Sequence, residues 1–237
     1  MKKIFAFVIG MSLCVTAGAQ TIIVHKSDNS VLRLPASEVE YIDFTVVKAV
    51  DLGLSSGLKW ANMNVGANSP EDFGDYFAWG ETEPKGKYDW STYKFCNGSY
   101  KTLKKYSTTT DLGTADNKTV LDAEDDAAHV NWGGTWRMPT YEELNELKTE
   151  CTWQLTTLNG VEGYEVTGPN GNHIFLPAAG YRYDDKFTLV GANSVYWSSS
   201  LNTGVSNRVW DLYFNSSVHG MSGDNRCYGQ SVRPVTE

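Results

Sequence analysis

The sequence predicts an α+β protein built of short, twisted antiparallel strands, one or two helices and long loops. Three observations carry that expectation. Twenty-two Gly and 13% aromatic residues against only 20% charged residues favour many strands and turns over long amphipathic helices. Only one stretch, after Pro139, opens with a complete helix-start signature. The last forty residues place apolar side chains between Gly and Asn in short runs that suit strands. At 237 residues the chain is long enough for one sizeable core and a small appendage.

Residues 1–19 read as a signal peptide. Lys2 and Lys3 precede an apolar run from Ile4 to Val15, and Ala17 and Ala19 have the spacing that signal peptidase requires, so the mature chain is expected to begin at Gln20. Cys14 follows Leu13 where a lipoprotein signal has a small residue, which argues against a lipid anchor. The expected location is secreted, periplasmic or at the cell surface. No other apolar run approaches the ~18 residues of a membrane span. The formal charge of −8, about −10 without Lys2 and Lys3, repels phosphate backbones and excludes nucleic acid as the natural partner. Cys96, Cys151 and Cys227 remain, an odd number for an oxidising compartment.

Residues 20–45 predict a short β segment, with Ile22–Val24 and Val31–Leu34 as a hairpin around the turn at Ser27–Ser30. A single domain is expected over 46–237. Its first strand carries Leu58, Trp60, Met63 and Val65 after the turn Ser55–Gly57. The stretch 71–106 is rich in aromatics without periodicity and reads as a long loop wedged onto the core; any rings left outside could stack on sugars. Tyr106–Asn117 is Thr-rich and reads as an exposed loop.

Asp122, Glu124, Asp125 and Asp126 form the one acidic cluster. Such oxygens could hold calcium. The same residues also make a helix start, with Asp122 as N-cap and acids in the first turn, and that reading is preferred. Thr140-Tyr141-Glu142-Glu143 is a capping box, and Leu144 and Leu147 continue an apolar stripe to about Thr149. Thr152–Thr157, Tyr164–Thr167 and His173–Leu176 read as strands, with Gly168–Gly171 turning between the last two. His173 is read as a hydrogen-bonded packing residue. No phosphate loop, zinc spacing or internal repeat is present.

The stretch Tyr196–Val235 holds two interleaved sets. Trp197, Trp210, Leu212, Phe214, Val218, Val232 and Val235 occupy strand-like positions and are expected to be buried. Val205, Ser206, Arg208, Asp211, Tyr213, Ser217, His219, Ser222, Asp224, Cys227 and Tyr228 follow no pattern of charge or size, and strand alternation is expected to turn them outward. The chain has 14 Lys, 13 Glu and 3 Gln, yet none of them lies between Lys186 and Gln230, where average composition would place about five. Lys, Glu and Gln are residues that codons ending in C or T cannot encode.

The segments YWSSS, W-x-L-x-F-N-S (Trp210 to Ser216) and GQSVRPV resemble the C-terminal region of the C-type-lectin-fold variable proteins of diversity-generating retroelements. Together with GDYFAWGE, GGTWRMPT and LPAAGYR they also resemble the fibrobacter major paralogous domain group within the same fold superfamily, over about Val46 to Val235. The resemblance implies a C-type-lectin fold and a recognition face made of the eleven irregular residues. It implies a protein or glycan ligand at the cell exterior, no cofactor and no catalysis. It also places Cys96 and Cys151 on the scaffold, where a disulfide between them is expected.

Two other functions remain open on the same fold. One is an interaction or structural domain whose face is fixed. The other is an oxidase of the formylglycine-generating type, which needs a close cysteine pair near the C-terminus, where this chain has Cys227 alone. Calcium-dependent sugar binding loses its support because Glu83-Pro84-Lys85 matches only two residues of its triplet and no Trp-Asn-Asp occurs.

Overall fold

The computed structural model describes five short strands within the first 46 residues and all of 47–237. The chain divides after Lys48 into two compact units. In the first, β1 (Lys2–Phe5) pairs in parallel with β5 (Val39–Asp43), while β2 (Ser12–Cys14), β3 (Thr21–His25) and β4 (Val31–Pro35) form an antiparallel sheet. β3 and β4 make a hairpin, Thr21 opposite Pro35 and His25 opposite Val31. The expected cleavage position, Ala17 to Gln20, lies outside the described residues.

The second unit is α+β, with small antiparallel sheets and two short α-helices. β6 (Ala49–Asp51) and β7 (Lys59–Ala61) flank the turn at Ser55–Ser56, and β16 (Val235–Thr236) adds to the far side of β7. α1 spans Ala127–Trp132 and α2 spans Tyr141–Glu150. β8 (Thr152–Leu158), β9 (Val161–Thr167) and β10 (His173–Pro177) form a second sheet, followed by the hairpin of β11 (Tyr181–Tyr183) and β12 (Lys186–Thr188). β13 (Asn193–Leu201), β14 (Arg208–Asn215) and β15 (His219–Asn225) form the C-terminal sheet in that order.

Local chemistry explains the elements. Thr140 accepts from the Glu143 N–H and the Glu143 carboxylate accepts from the Thr140 N–H, so the predicted capping box is complete. Arg137 forks onto the same carboxylate at 2.7 and 2.6 Å, which ties the helix start to the strand-like segment before it. The buried stripe is Leu144 and Leu147. The helix start at the acidic cluster is shifted by one turn. Asp122 precedes a 3-10 turn without capping it, and Asp126 caps α1 by accepting from the His129 N–H at 3.0 Å. His173, expected to pack inside, stands exposed at the start of β10.

Two apolar clusters make the core. One gathers the aromatic loop, including Phe77, Trp79, Tyr88 and Tyr106, against Trp197 and Val209. The other gathers Trp60, α2, β9 and β10 against Tyr196, Leu212 and Phe214. The loop 71–106 therefore does wedge onto the core, and of its large rings only Tyr100 is exposed.

Two wholly buried arginines join the C-terminal stretch to the rest. Arg226 donates to the Tyr93 hydroxyl and to the carbonyls of Tyr106, Ser206 and Lys105, beneath the Trp79 ring at 4.9 Å. Arg233 donates to Asn64 Oδ1 and to the carbonyls of Ala61 and Phe175. Each replaces lost hydration with several directed bonds, which is the condition for burying a charge at all.

Candidate functional site

Register in the C-terminal sheet decides where the irregular residues go. Directly opposed residues share a face, so Arg208/Asn225, Trp210/Gly223, Leu212/Met221 and Phe214/His219 lie on one side. Val209/Asp224, Asp211/Ser222 and Tyr213/Gly220 lie on the other. α2 packs against β14 and β15, with the Tyr141 ring 4.9 Å from Trp210, and so belongs to the first side. On that side His219 stacks on Trp153 at 4.6 Å, near the Phe214 and Tyr164 rings.

The expected single outward set is thus corrected in several places. Arg208 and His219 lie on the α2 side, away from Asp211, Tyr213, Ser222 and Asp224. His219 is held there by aromatic stacking, and burial, followed by the nearby Lys148, lowers its pKa. Ser206 is buried because its hydroxyl meets Thr108 at 2.9 Å and its carbonyl accepts from Arg226. Cys227 is wholly buried in the aromatic core. Asp211 is 0% exposed, in the central strand and opposite the buried Trp197. Val218, expected in the core, is 53% exposed in the β14–β15 turn beside exposed Ser217. Val205 is exposed in the β13–β14 connection.

The residues that do come together occupy the face turned from α2. Tyr213 is half-buried there, its hydroxyl bonded to Asn193 at 2.9 Å and Asn215 at 2.7 Å. Tyr228 is half-buried against Tyr181 at 5.9 Å and Tyr183 at 5.1 Å. Asp224, half-buried, accepts from Gln230 at 3.1 Å, and its charge bears on Asp211. Burial, then repulsion from Asp224, pushes the Asp211 carboxyl well above the ordinary range, and burial also raises Asp224. Ser222 is exposed between them.

Tyr181, Tyr183 and Gln230 are the residues that sequence reasoning missed. They come from β11 and from the segment after β15, and they reach this face because Gly180 bridges to Ser194 and Arg182 to Gly229. Gly180 makes the first of these contacts possible. It has φ of +62°, and a Cβ there would lie 2.2 Å from the Thr188 carbonyl oxygen. The "LPAAGYR" pattern carried this signal without revealing its destination.

The other sequence candidates resolve separately. In the acidic cluster the Lys105 ammonium sits 2.6 Å from Asp122, 3.3 Å from Glu124 and 2.6 Å from Asp125, with Lys94 and Lys118 adding 3.0 and 2.6 Å contacts. Lysines already supply the cation there, and Asp126 is spent on capping. The expected Cys96–Cys151 disulfide is not formed. Cys96 belongs to the aromatic core, where its thiol donates to the Trp90 carbonyl, while Cys151 ends α2 and packs on the other core. Burial pushes the Cys151 thiol up to about 11 and that of Cys227 up to about 12. Beside the loop 71–88 a cleft of about 530 Å³ is walled by Phe73, Tyr76, Arg182 and Phe187. Its guanidinium is already bonded to the carbonyls of Lys85, Gly86 and Asp185.

No protein-family model matches the sequence, and neither a curated protein nor a solved structure is significantly similar to it. Among the described residues, no helix is long and apolar enough to cross a membrane.

Proposed function

We propose that this chain is an exported, non-catalytic recognition protein of the C-type-lectin fold that binds a protein or glycan ligand at the cell exterior. The ligand meets the face of β13–β15 turned from α2, through Tyr213, Ser222, Asp224 and Tyr228, joined by Tyr181 and Tyr183. One observation carries the reading. β14 packs Leu212 and Phe214 on one side into a closed apolar core, while on the other side β14 carries Asp211 and Tyr213 and β15 carries Ser222 and Asp224 beside them. Tyrosine offers contact area at low entropic cost and small polar residues offer adaptable hydrogen bonds, the composition of surfaces that recognise by shape. The buried, strongly protonated Cys227 is in the wrong state for a nucleophile or metal ligand, which supports the non-catalytic reading.

The test is a pair of variants. Tyr213, Ser222 and Tyr228 replaced together by Ala should lower the melting temperature by a few degrees and abolish capture of exterior proteins or arrayed glycans bound by the parent. Arg208→Ala with Val218→Ser should leave capture intact. Equal binding by the triple variant, or loss in the control pair, moves the site elsewhere. Diversification is tested in the coding DNA. A near-copy of the codons for Tyr196–Val235, differing at adenines and lying beside a reverse transcriptase gene, separates a variable face from a fixed one.

A further inference from the structure

Every open sheet has edges, and most of those in the second unit are covered or charged. β13 lies buried, with bridges from Gly180, Ser231 and Val120 along it. β6, β12 and β15 carry Asp51, Lys186 and Asp224. The outer side of β10 is met by Arg233, which donates to the Phe175 carbonyl at 2.9 Å. β8 is different. Its seven residues, Thr-Trp-Gln-Leu-Thr-Thr-Leu, contain no charge and no proline, and they pair with β9 in unbroken register. Natural sheets blunt an exposed edge with a charge, a proline, a bulge or a cover, because a bare edge templates another strand.

The hairpin register fixes which backbone groups of β8 are bare. Asn159-Gly160 is a two-residue loop with φ of +50° and +85°, so the flanking pair Leu158–Val161 is of the hydrogen-bonded kind and the pairs alternate from there. Thr152, Gln154, Thr156 and Leu158 therefore point their N–H and C=O at β9. Those of Trp153, Leu155 and Thr157 point away, and among the described residues no other strand or loop bonds to them. The same alternation turns the Phe175 carbonyl away from β9, which is where Arg233 meets it. Leu155 lies on the core side of the sheet, opposite buried Tyr164, yet it is 48% exposed.

We propose that β8 pairs with β8 of a second copy of this chain, antiparallel about a two-fold axis at Leu155, so that two three-stranded sheets become one. With that centre Leu155 lies opposite its own image and Trp153 opposite the partner's Thr157. Every outward N–H and C=O of both strands is then bonded. A two-fold contact sets residues near the axis beside their own copies, so a charge there would repel itself. β8 has none, in a chain whose formal charge of −8 otherwise keeps copies apart. The two half-bare leucines cover each other, which favours a second copy over a foreign strand. Because Arg233 occupies the far edge at β10, pairing stops at two chains. Each pair would carry two copies of the proposed recognition face and bind a multivalent ligand more tightly. The pairing itself does not rest on that function.

Sedimentation velocity of the full chain from roughly 1 to 300 µM should show a reversible shift from one chain to two and nothing larger, the range expected of a small contact. Leu155→Lys should abolish the shift, because it sets two ammonium groups face to face at the axis. Val130→Lys, at an exposed valine on α1, should leave it unchanged. Should Leu155→Lys fail to fold, Leu155→Cys in a Cys151→Ser background decides. Oxidation should link two chains through that position, since directly opposed Cα atoms lie about 5.5 Å apart, within disulfide reach. Val130→Cys in the same background should not link. The proposal is overturned if the chain stays single over that range, or if species larger than two grow with concentration. It is also overturned if Leu155→Lys pairs as the parent does, if Val130→Lys loses pairing, or if Leu155→Cys cross-links no better than Val130→Cys.

Discussion

The two faces of the C-terminal sheet are made by the same three strands and solve different problems. On the α2 side Leu212, Phe214, Met221 and Trp210 meet helix, tryptophan and tyrosine, and the YWSSS serines knit the edge. Ser198 donates to the Trp210 carbonyl at 2.6 Å, and Ser200 accepts from the Tyr141 N–H at 3.0 Å. On the other side the apolar packing stops at Val209 and Trp197, and beyond it come Asp211, Asp224 and Tyr213. The lesson is that one closed face can stabilise a sheet well enough for the other to carry costly polar groups. The residues that stabilise the sheet and those proposed for recognition then alternate along one strand.

Breaking the closed face should give the largest effect. Phe214→Ala removes a ring that meets Trp153, Tyr164 and Tyr196, and should cost about 3–5 kcal/mol in urea denaturation. A loss under about 1 kcal/mol would mean that this face does not hold the sheet.

Relieving the polar face should do the reverse. In metal-free buffer Asp211→Asn should stabilise the fold at neutral pH by about 1–3 kcal/mol. The sign follows from the raised Asp211 pKa. The folded state keeps a proton that the unfolded chain releases above about 3.9, so the contribution of Asp211 is most favourable at low pH and is lost as pH rises through that value towards the folded one. The stabilisation of the variant relative to the parent should therefore grow as pH rises over the same range. A difference between variant and parent that shrinks as pH rises would refute the buried acid.

Smaller still is the edge between the faces. Val218→Ser, in the exposed turn, should change stability by under about 0.5 kcal/mol, against the anchoring role its apolar character suggested. Native-state alkylation should reach half-buried Cys151 first and leave Cys96 and Cys227 for the unfolded chain. Early labelling of Cys227 would show that the aromatic core opens.

The sequence by itself determined the elements whose cause is local. The capping box at Thr140, the hairpin at Val24 to Val31, the turn at Gly168 to Gly171 and the strands around Trp210 each depend on residues within a few positions, and the α+β class follows from them. The turn at Asn159-Gly160 between β8 and β9, with φ of +50° and +85°, has an equally local cause but was not among the expected elements. Alternation along β14 was also legible, but alternation says only that two faces exist. What lies over each face was decided by residues far away in the chain. α2 covers one, so Arg208 and His219 fall on the stability side. β11 and Gln230 border the other, so Asp211 is buried and Tyr181 and Tyr183 join the proposed site. Lys105, distant from Asp122 in sequence, filled the acidic cluster, and the separation of the two cores kept Cys96 from Cys151. Burial and charge pairing are sums over neighbours in space, and a linear pattern carries no term for a neighbour that only the fold supplies.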